Sequence, residues 1–274
     1  MYGFVTPCRR MVVGMVRAAS VAACISVSAF ALAGPMVAQA QEDSAKKILK
    51  AMSDYVASQT SIAVTFDSDI EVVTHELQKI QYASSGQLKA SRPDKVYARR
   101  TGGYADVEFF YDGKTFSVHS RDHKAYAQGP APKSIDELVD RLRTEYAVEA
   151  PGAILLSSNI FNELMSGVID AKHVGLGVIN GVECEHLAFR NEETDWQIWI
   201  ATGSRPTPCK LIITSTAVAG APQYTLQIRD WQSAPMIAAE AFAFKPPADV
   251  KKVEFGQLAE IDEVPMGIAM GGEQ

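Results

Sequence analysis

From Ser61 to Val73 apolar and polar residues alternate almost without a break. Ile62, Val64, Phe66, Ile70 and Val72 fall on one side of an extended chain, and Ala63, Thr65, Asp67, Asp69 and Glu71 on the other. A period of two predicts a strand buried on one face only. Just before it, Ile48, Leu49, Met52, Tyr55 and Val56 recur at helical spacing and predict an amphipathic helix over 44–59. Further strands are predicted near 80–88, 95–100 and 107–111, and Asp112-Gly113 marks a two-residue hairpin turn. A second helix opens on Ser134 and Glu137, a capping box, carries the stripe Ile135, Leu138, Val139, Leu142 and Tyr146, and stops at Pro151. A short third helix over 159–166 ends at Gly167. Five more strands follow near 174–179, 182–190, 196–201, 210–216 and 224–231. Strands, helices and strands again predict an α+β domain on one large antiparallel sheet of about eleven strands, with three helices against its apolar face. A sheet that wide has to curl.

The first forty residues do not fit this domain. They carry Arg9, Arg10 and Arg17 without an acidic residue or a lysine, then an interrupted apolar run ending in Ala38-Gln39-Ala40. That pattern predicts a secretory leader cleaved after Ala40. The lipobox-like "VAAC" at 21–24 and the arginine pair at 9–10 fit less well, because the apolar run continues past Cys24 and residues 11–14 depart from the twin-arginine pattern. The domain is therefore expected to span 41–256, followed by an unstructured tail over 257–274, and to reside in the periplasm.

The chain has a net charge of −6, and loss of the leader removes three arginines. Such an acidic surface speaks against nucleic acid, whose phosphates are bound through Lys and Arg, and against anionic lipid surfaces. Cys8 and Cys24 leave with the leader, so Cys184 and Cys209 remain together in an oxidising compartment. A disulfide is the natural expectation. Against it, cysteines on strands one apart from neighbours lie ~9.6 Å apart, beyond the ~7 Å a bridge tolerates. Pro206 and Pro208 could bend the strand entry enough to close that gap.

Residues that could carry chemistry are few. Cys184 and His186 share a strand face ~7 Å apart, too far for a nucleophile and its base. His119, Asp122 and His123 border a turn but lack a further ligand, and are expected to be exposed turn residues. Arg92, Lys95, Arg99 and Arg100, with Arg121 and Lys124, form a candidate basic patch for an acidic partner. No phosphate loop and no Gly-x-Ser-x-Gly is present. Neither metal, cofactor nor catalysis is expected. There remains the apolar face itself: Val64, Phe66, Ile70, Val107, Phe109, Trp196, Ile198, Leu226 and Ile228 are in phase with the buried side of their strands. They are either close-packed core or, in part, the wall of an apolar pocket under a curled sheet.

Several stretches carry a resemblance: "RPDKV" at 92–96, "YDGKTF" at 111–116, "YAQGPAPKSID" at 126–136, "GVECEHLAFR" at 181–190, "DWQIWI" at 195–200 and "PQY" at 222–224. Together they resemble a family of bacterial periplasmic proteins allied to the LolA/LolB-like lipoprotein carriers and related sensor domains. The resemblance implies a half-open antiparallel barrel whose helices lid a concave apolar side that holds acyl chains, with no catalytic residues. On that basis the nine residues above are expected to line a cavity for a lipid or lipidated protein in a monomeric carrier. The alternative is a sensor or interaction module that meets an envelope protein.

Overall fold

The structure, a computed structural model, describes residues 34–258 apart from 147 and 149, together with 261 and 264. Twelve strands form one open sheet. In chain order they are β1 (Ser61–Val73), β2 (Lys79–Ser91), β3 (Lys95–Gly102), β4 (Asp106–Tyr111), β5 (Thr115–Ser120), β6 (Ala125–Pro130), β7 (Asp170–Ile179), β8 (Val182–Arg190), β9 (Thr194–Ala201), β10 (Pro208–Ser215), β11 (Gln223–Ser233) and β12 (Lys251–Lys252). Their order across the sheet is β12-β6-β5-β4-β3-β2-β1-β11-β10-β9-β8-β7. Two meanders, β1 to β6 and β7 to β11, meet where β1 pairs antiparallel with β11. Only β12 lies parallel to its neighbour, β6. Because most pairings join consecutive strands through short loops, hairpin chemistry suffices to set the register. At the Tyr111 hairpin the Asp112 carboxylate accepts the amides of Lys114 and Thr115, at 2.8 Å each, and Gly113 takes a positive φ of 86°. The turn is one residue longer than the Asp-Gly signal predicts.

Three helices cover one face. α1 (Gly34–Ala57) lies over β7, β8 and β9, and buries Ala45, Leu49, Met52 and Val56 along one stripe. Removing three such large side chains from water contributes roughly 1.5–3 kcal/mol each. α1 starts earlier than the periodicity predicts, so the bond after Ala40 falls inside it; residues 1–33 of the expected leader lie outside the described residues. α2 (Ile135–Tyr146) opens on Ser134, whose Oγ accepts the Glu137 amide at 3.2 Å, but the expected box is half formed, since the Glu137 carboxylate accepts the Lys133 amide at 3.1 Å and not that of Ser134; the helix packs over the opposite half of the sheet. A 3-10 segment, Pro151–Leu156, and α3 (Ile160–Leu164) bridge the two. The result is two separate apolar cores on the same face. One joins α1 and α3 to β7 through β11; the other joins α2 to β2 through β5.

The chain then does something periodicity does not reveal. After β11 it crosses the opposite face of the sheet to reach β12 beside β6. In this strap Phe242 is buried, while Phe244 packs against Phe110, His119 and Tyr126 at 5.2, 5.5 and 4.9 Å between rings. Phe255 then turns back round the edge and stacks on Phe116 at 4.9 Å, on the helix-bearing face. Most of the expected tail from 257 onward lies outside the described residues; Phe255–Gln257 forms a 3-10 turn.

Candidate functional site

Where the two cores fail to meet, the helices leave a cavity of about 340 Å³. Cross-strand rows on β1 to β5 floor it. The innermost row, Ile62, Ala90, Val96, Tyr111 and Phe116, is buried, Ile62 in the core that α1 and α3 cap and the other four beneath α2. The next, Val64, Leu88, Ala98, Phe109 and Val118, is left only partly covered and faces the void along its whole length. The third begins with Phe66, Gly86, Arg100 and Val107. Gly86 has to lack a side chain, since a Cβ there would collide with the Phe66 ring and the Arg99 carbonyl. Ile135, Leu138, Val139 and Leu142 of α2 roof the space together with Leu155 and Leu156. Tyr224, Leu226, Ile228 and Trp231 of β11 close its side. The void exists because β1 and β11 span the gap between helices that each cover only their own half of the sheet.

Six of the nine residues singled out from the sequence, Val64, Phe66, Val107, Phe109, Leu226 and Ile228, line this cavity. Three do not, because being in phase with the buried face does not determine what covers a residue. Ile198 is wholly buried in the core that α1 caps, and Trp196 stacks on Phe189 at 4.0 Å in that core. Ile70 lies toward the far end of β1, opposite Tyr82 and Tyr224. Phase reasoning also missed Leu88, Ala98 and Arg100, although their alternation on β2 and β3 was there to be read, as well as the helical roof.

The cysteine pair is not bridged. Cys184 and Cys209 are both free and buried, which corrects the expected disulfide. The chain bulges between Pro208 and Lys210, bringing the two thiols together across β9, but each points its Sγ at a backbone carbonyl: Cys184 at Val182, 3.4 Å, and Cys209 at Thr207, 3.7 Å. Burial pushes both thiols up; that of Cys209, raised further by its neighbour, reaches about 12. Such thiols are poor nucleophiles. His186 stacks on Trp199 at 4.1 Å, its Nε2 2.9 Å from Gln197 Oε1, so it is no base for Cys184.

His119 is not an exposed turn residue. It is 5% exposed beneath the strap, and its Nδ1 lies 3.0 Å from Glu108. Tyr97 donates to the same carboxylate at 3.1 Å, and Arg121 at 3.3 Å. Burial, with Glu108 behind it, pushes the Tyr97 hydroxyl up. Arg99 grips Asp106 through two bonds of 2.8 and 2.7 Å and holds that carboxylate below its usual range. The anticipated basic patch is thereby split up. Arg99 and Arg121 pair with carboxylates under the strap, Lys124 pairs with Asp249, Arg92 donates to the Leu156 carbonyl, and Arg100 lies on the cavity side. His123 hydrogen-bonds Ser120. Among the described residues no cluster of three His, Cys, Asp or Glu could hold a metal ion.

The sequence profile of a family described as "Predicted periplasmic protein (DUF2092)" matches residues 45–256, and the chain belongs to that family. Among curated proteins no relative matches it. Similar solved structures include LprF from Mycobacterium bovis, at 12% identity and a TM-score of 0.46, covering 77% of this chain and 99% of that one. An uncharacterized conserved protein from Thermus thermophilus is similar at 11% identity and a TM-score of 0.44, again over 77% and 99%. A third is the Pseudomonas aeruginosa MucA/MucB complex, at 14% identity and a TM-score of 0.41, covering 74% of this chain and 61% of the other.

Proposed function

We propose that this member of a predicted periplasmic family is a monomeric, non-catalytic binding protein that holds a lipid acyl chain, free or attached to a lipoprotein, in the cavity between its two cores. It would be exported with cleavage after Ala40. The cavity itself carries the reading. Close-packed interiors do not leave an apolar void of about 340 Å³ between covering helices and a sheet. At roughly 30 Å³ for each water-sized group, that space takes about eleven methylenes. Burying ten supplies ~8 kcal/mol of gross transfer free energy, enough for useful affinity after the losses of association. Native mass spectrometry of the mature protein from the periplasm tests it: stoichiometric lipid, lost on solvent extraction and regained on adding a dodecyl amphiphile, is expected. A protein that comes out empty and takes up no chain overturns it.

One observation favours a second reading, an envelope interaction module. Among the described residues β7 is a free sheet edge, and Val174, Leu176 and Val178 on it are each more than half exposed, with Ile169 beside them. Open apolar edges invite strand addition. Under this reading Leu176→Lys abolishes binding of an envelope protein and leaves lipid uptake intact.

A further inference from the structure

A second space, a cleft of about 300 Å³, opens on the helix-bearing face over the other core. Its floor is Trp196, Leu211 and Ile213 of β9 and β10, with Ile154 of the 3-10 segment and Leu164 of α3 as walls. The cleft is not an arm of the larger cavity. Leu211 pairs with Leu226 and Ile213 with Tyr224, so the two spaces lie on neighbouring strands, and the 3-10 segment comes down between them. Pro151 and Ile154 border the cleft, whereas Gly152, Ala153 and Leu155 border the cavity. Gly152 lets the segment sit low, since a Cβ there would come within 2.8 Å of Leu226 Cδ2.

The two spaces also differ in kind. Over its apolar floor the cleft carries a rim with both signs of charge: Arg143, in the last turn of α2, and Glu163, on α3, are the charged residues among its described lining. They border one space yet form no ion pair. The 3-10 segment lies between α2 and α3 and packs on both, which keeps the two side chains on separate banks. No hydrogen bond or ion pair joins Arg143 to any described residue, and the Glu163 carboxylate accepts the Ser157 hydroxyl alone among the described residues. The floor beneath them is preformed. Trp196 stacks on Phe189 at 4.0 Å and its Nε1 donates to Asn191 Oδ1 at 3.1 Å, while Asn191 Nδ2 donates to the Ser166 carbonyl at 2.9 Å. A fixed apolar surface with a few convergent polar groups is the usual make-up of a small-molecule site.

We propose that this cleft is a second binding site, separate from the larger cavity, for a small zwitterion with an apolar body. The ligand's carboxylate meets Arg143, its ammonium meets Glu163, and its hydrocarbon part lies on Trp196, Leu211 and Ile213. A molecule with a single charge leaves one rim group idle, whereas a zwitterion engages both and brings no net charge. The guanidinium offers a carboxylate two parallel N–H groups, and the ammonium donates charge-assisted bonds to the Glu163 carboxylate. At roughly 30 Å³ for each water-sized group, the cleft holds about ten non-hydrogen atoms. That is the size of one amino acid with an aliphatic side chain, and too small for a peptide.

L-Leucine and 6-aminohexanoate are isomers, equal in atoms and charges and different in how far apart the charges stand. Calorimetric titration of the mature protein with both, and with hexanoate and hexylamine as single-charge probes, tests the proposal. Exposed ion pairs are individually weak, so the wild type is expected to bind one zwitterion about five-fold or more tighter than either single-charge probe, and the better isomer reports the span between Arg143 and Glu163. Glu163→Gln should bring that zwitterion down to the level of hexanoate, and Arg143→Gln to the level of hexylamine. Both residues are exposed, so each variant should fold, and each should take up a dodecyl amphiphile as the wild type does, which keeps this site apart from the larger cavity. No saturable binding of either zwitterion, equal binding of all the probes by the wild type, or a preference that survives either variant overturns the proposal and leaves the reading of the larger cavity untouched.

Discussion

Ala98 offers the sharpest test of the cavity, because it is the smallest residue on the row that faces the void, between Leu88 on β2 and Phe109 on β4. In Ala98→Phe the new ring must enter the void, since the Cβ of residue 98 points that way. A phenyl group needs a space on the order of 150 Å³, the size of an engineered cavity that admits benzene. That is nearly half of the 340 Å³ present. Displacing about five of ten methylenes at ~0.8 kcal/mol each removes roughly 4 kcal/mol of transfer free energy. A loss of 1.4 kcal/mol is ten-fold, so affinity for a dodecyl chain should fall by about a thousand-fold. Stability should hold or rise, because overpacking penalties of ~1–3 kcal/mol arise in filled cores, whereas here the ring enters unfilled space. Displacement of a fluorescent fatty-acid probe measures the affinity, and urea denaturation the stability. If the variant folds and still binds the chain as the wild type does, ligand does not occupy this space. If instead it loses about 3 kcal/mol of stability, the space was already packed.

The strap gives a purely structural expectation: Phe242→Ala, at a residue 1% exposed, should destabilise by ~3–5 kcal/mol in urea denaturation, and a change below 1 kcal/mol would mean that the strap does not pack as described. The cysteines should be inert in the native protein at pH 8, because burial holds both as thiols; a thiol reagent should modify them at least about 100-fold faster in denaturant, and rapid native labelling would contradict their placement. Asp106 contributes a pH dependence whose sign is fixed. Arg99 depresses its folded value, so its contribution is complete above the ordinary ~3.9 of an unfolded aspartate and is lost as pH falls through the folded value. Urea midpoints measured between pH 2 and 5 should therefore fall less steeply on acidification in Asp106→Asn than in the wild type, and parallel curves would remove Asp106 from the acid response.

Much of the fold was legible because its signals are local. The alternation along β1, the Ser134 cap and the Asp112-Gly113 turn each depend on neighbours within a few residues, and each appears in the structure near its expected place. The candidate site was half legible for the same reason. Strand phase put Val64, Phe66, Val107 and Phe109 on the helix-bearing face. It could not separate them from Ile198, equally in phase, because the difference lies in whether α1 sits above. The strap was invisible: "AFAFKPPADVKKVEF" at 241–255 reads as one edge strand, and β12 does form there at the sheet edge, yet Phe242 and Phe244 before it anchor a crossing of the sheet's other face.

That crossing also explains why His119 and the basic residues were misjudged. Charge in the sequence is a count, whereas its effect depends on which side of a pleat it lands and what lies opposite. Arg99 and Arg100 are chain neighbours, so one is paired with Asp106 on one face while the other meets the cavity on the other. The two cysteines make the same point, since a bulge at Pro208 brings together residues that regular strand spacing would hold apart. Residue order alone determined the strands, the helices and the faces they present, because these follow from period and from short-range hydrogen bonding. Tertiary structure decided which apolar residues are covered and which border empty space, because coverage is set by where helices far away in sequence come to rest.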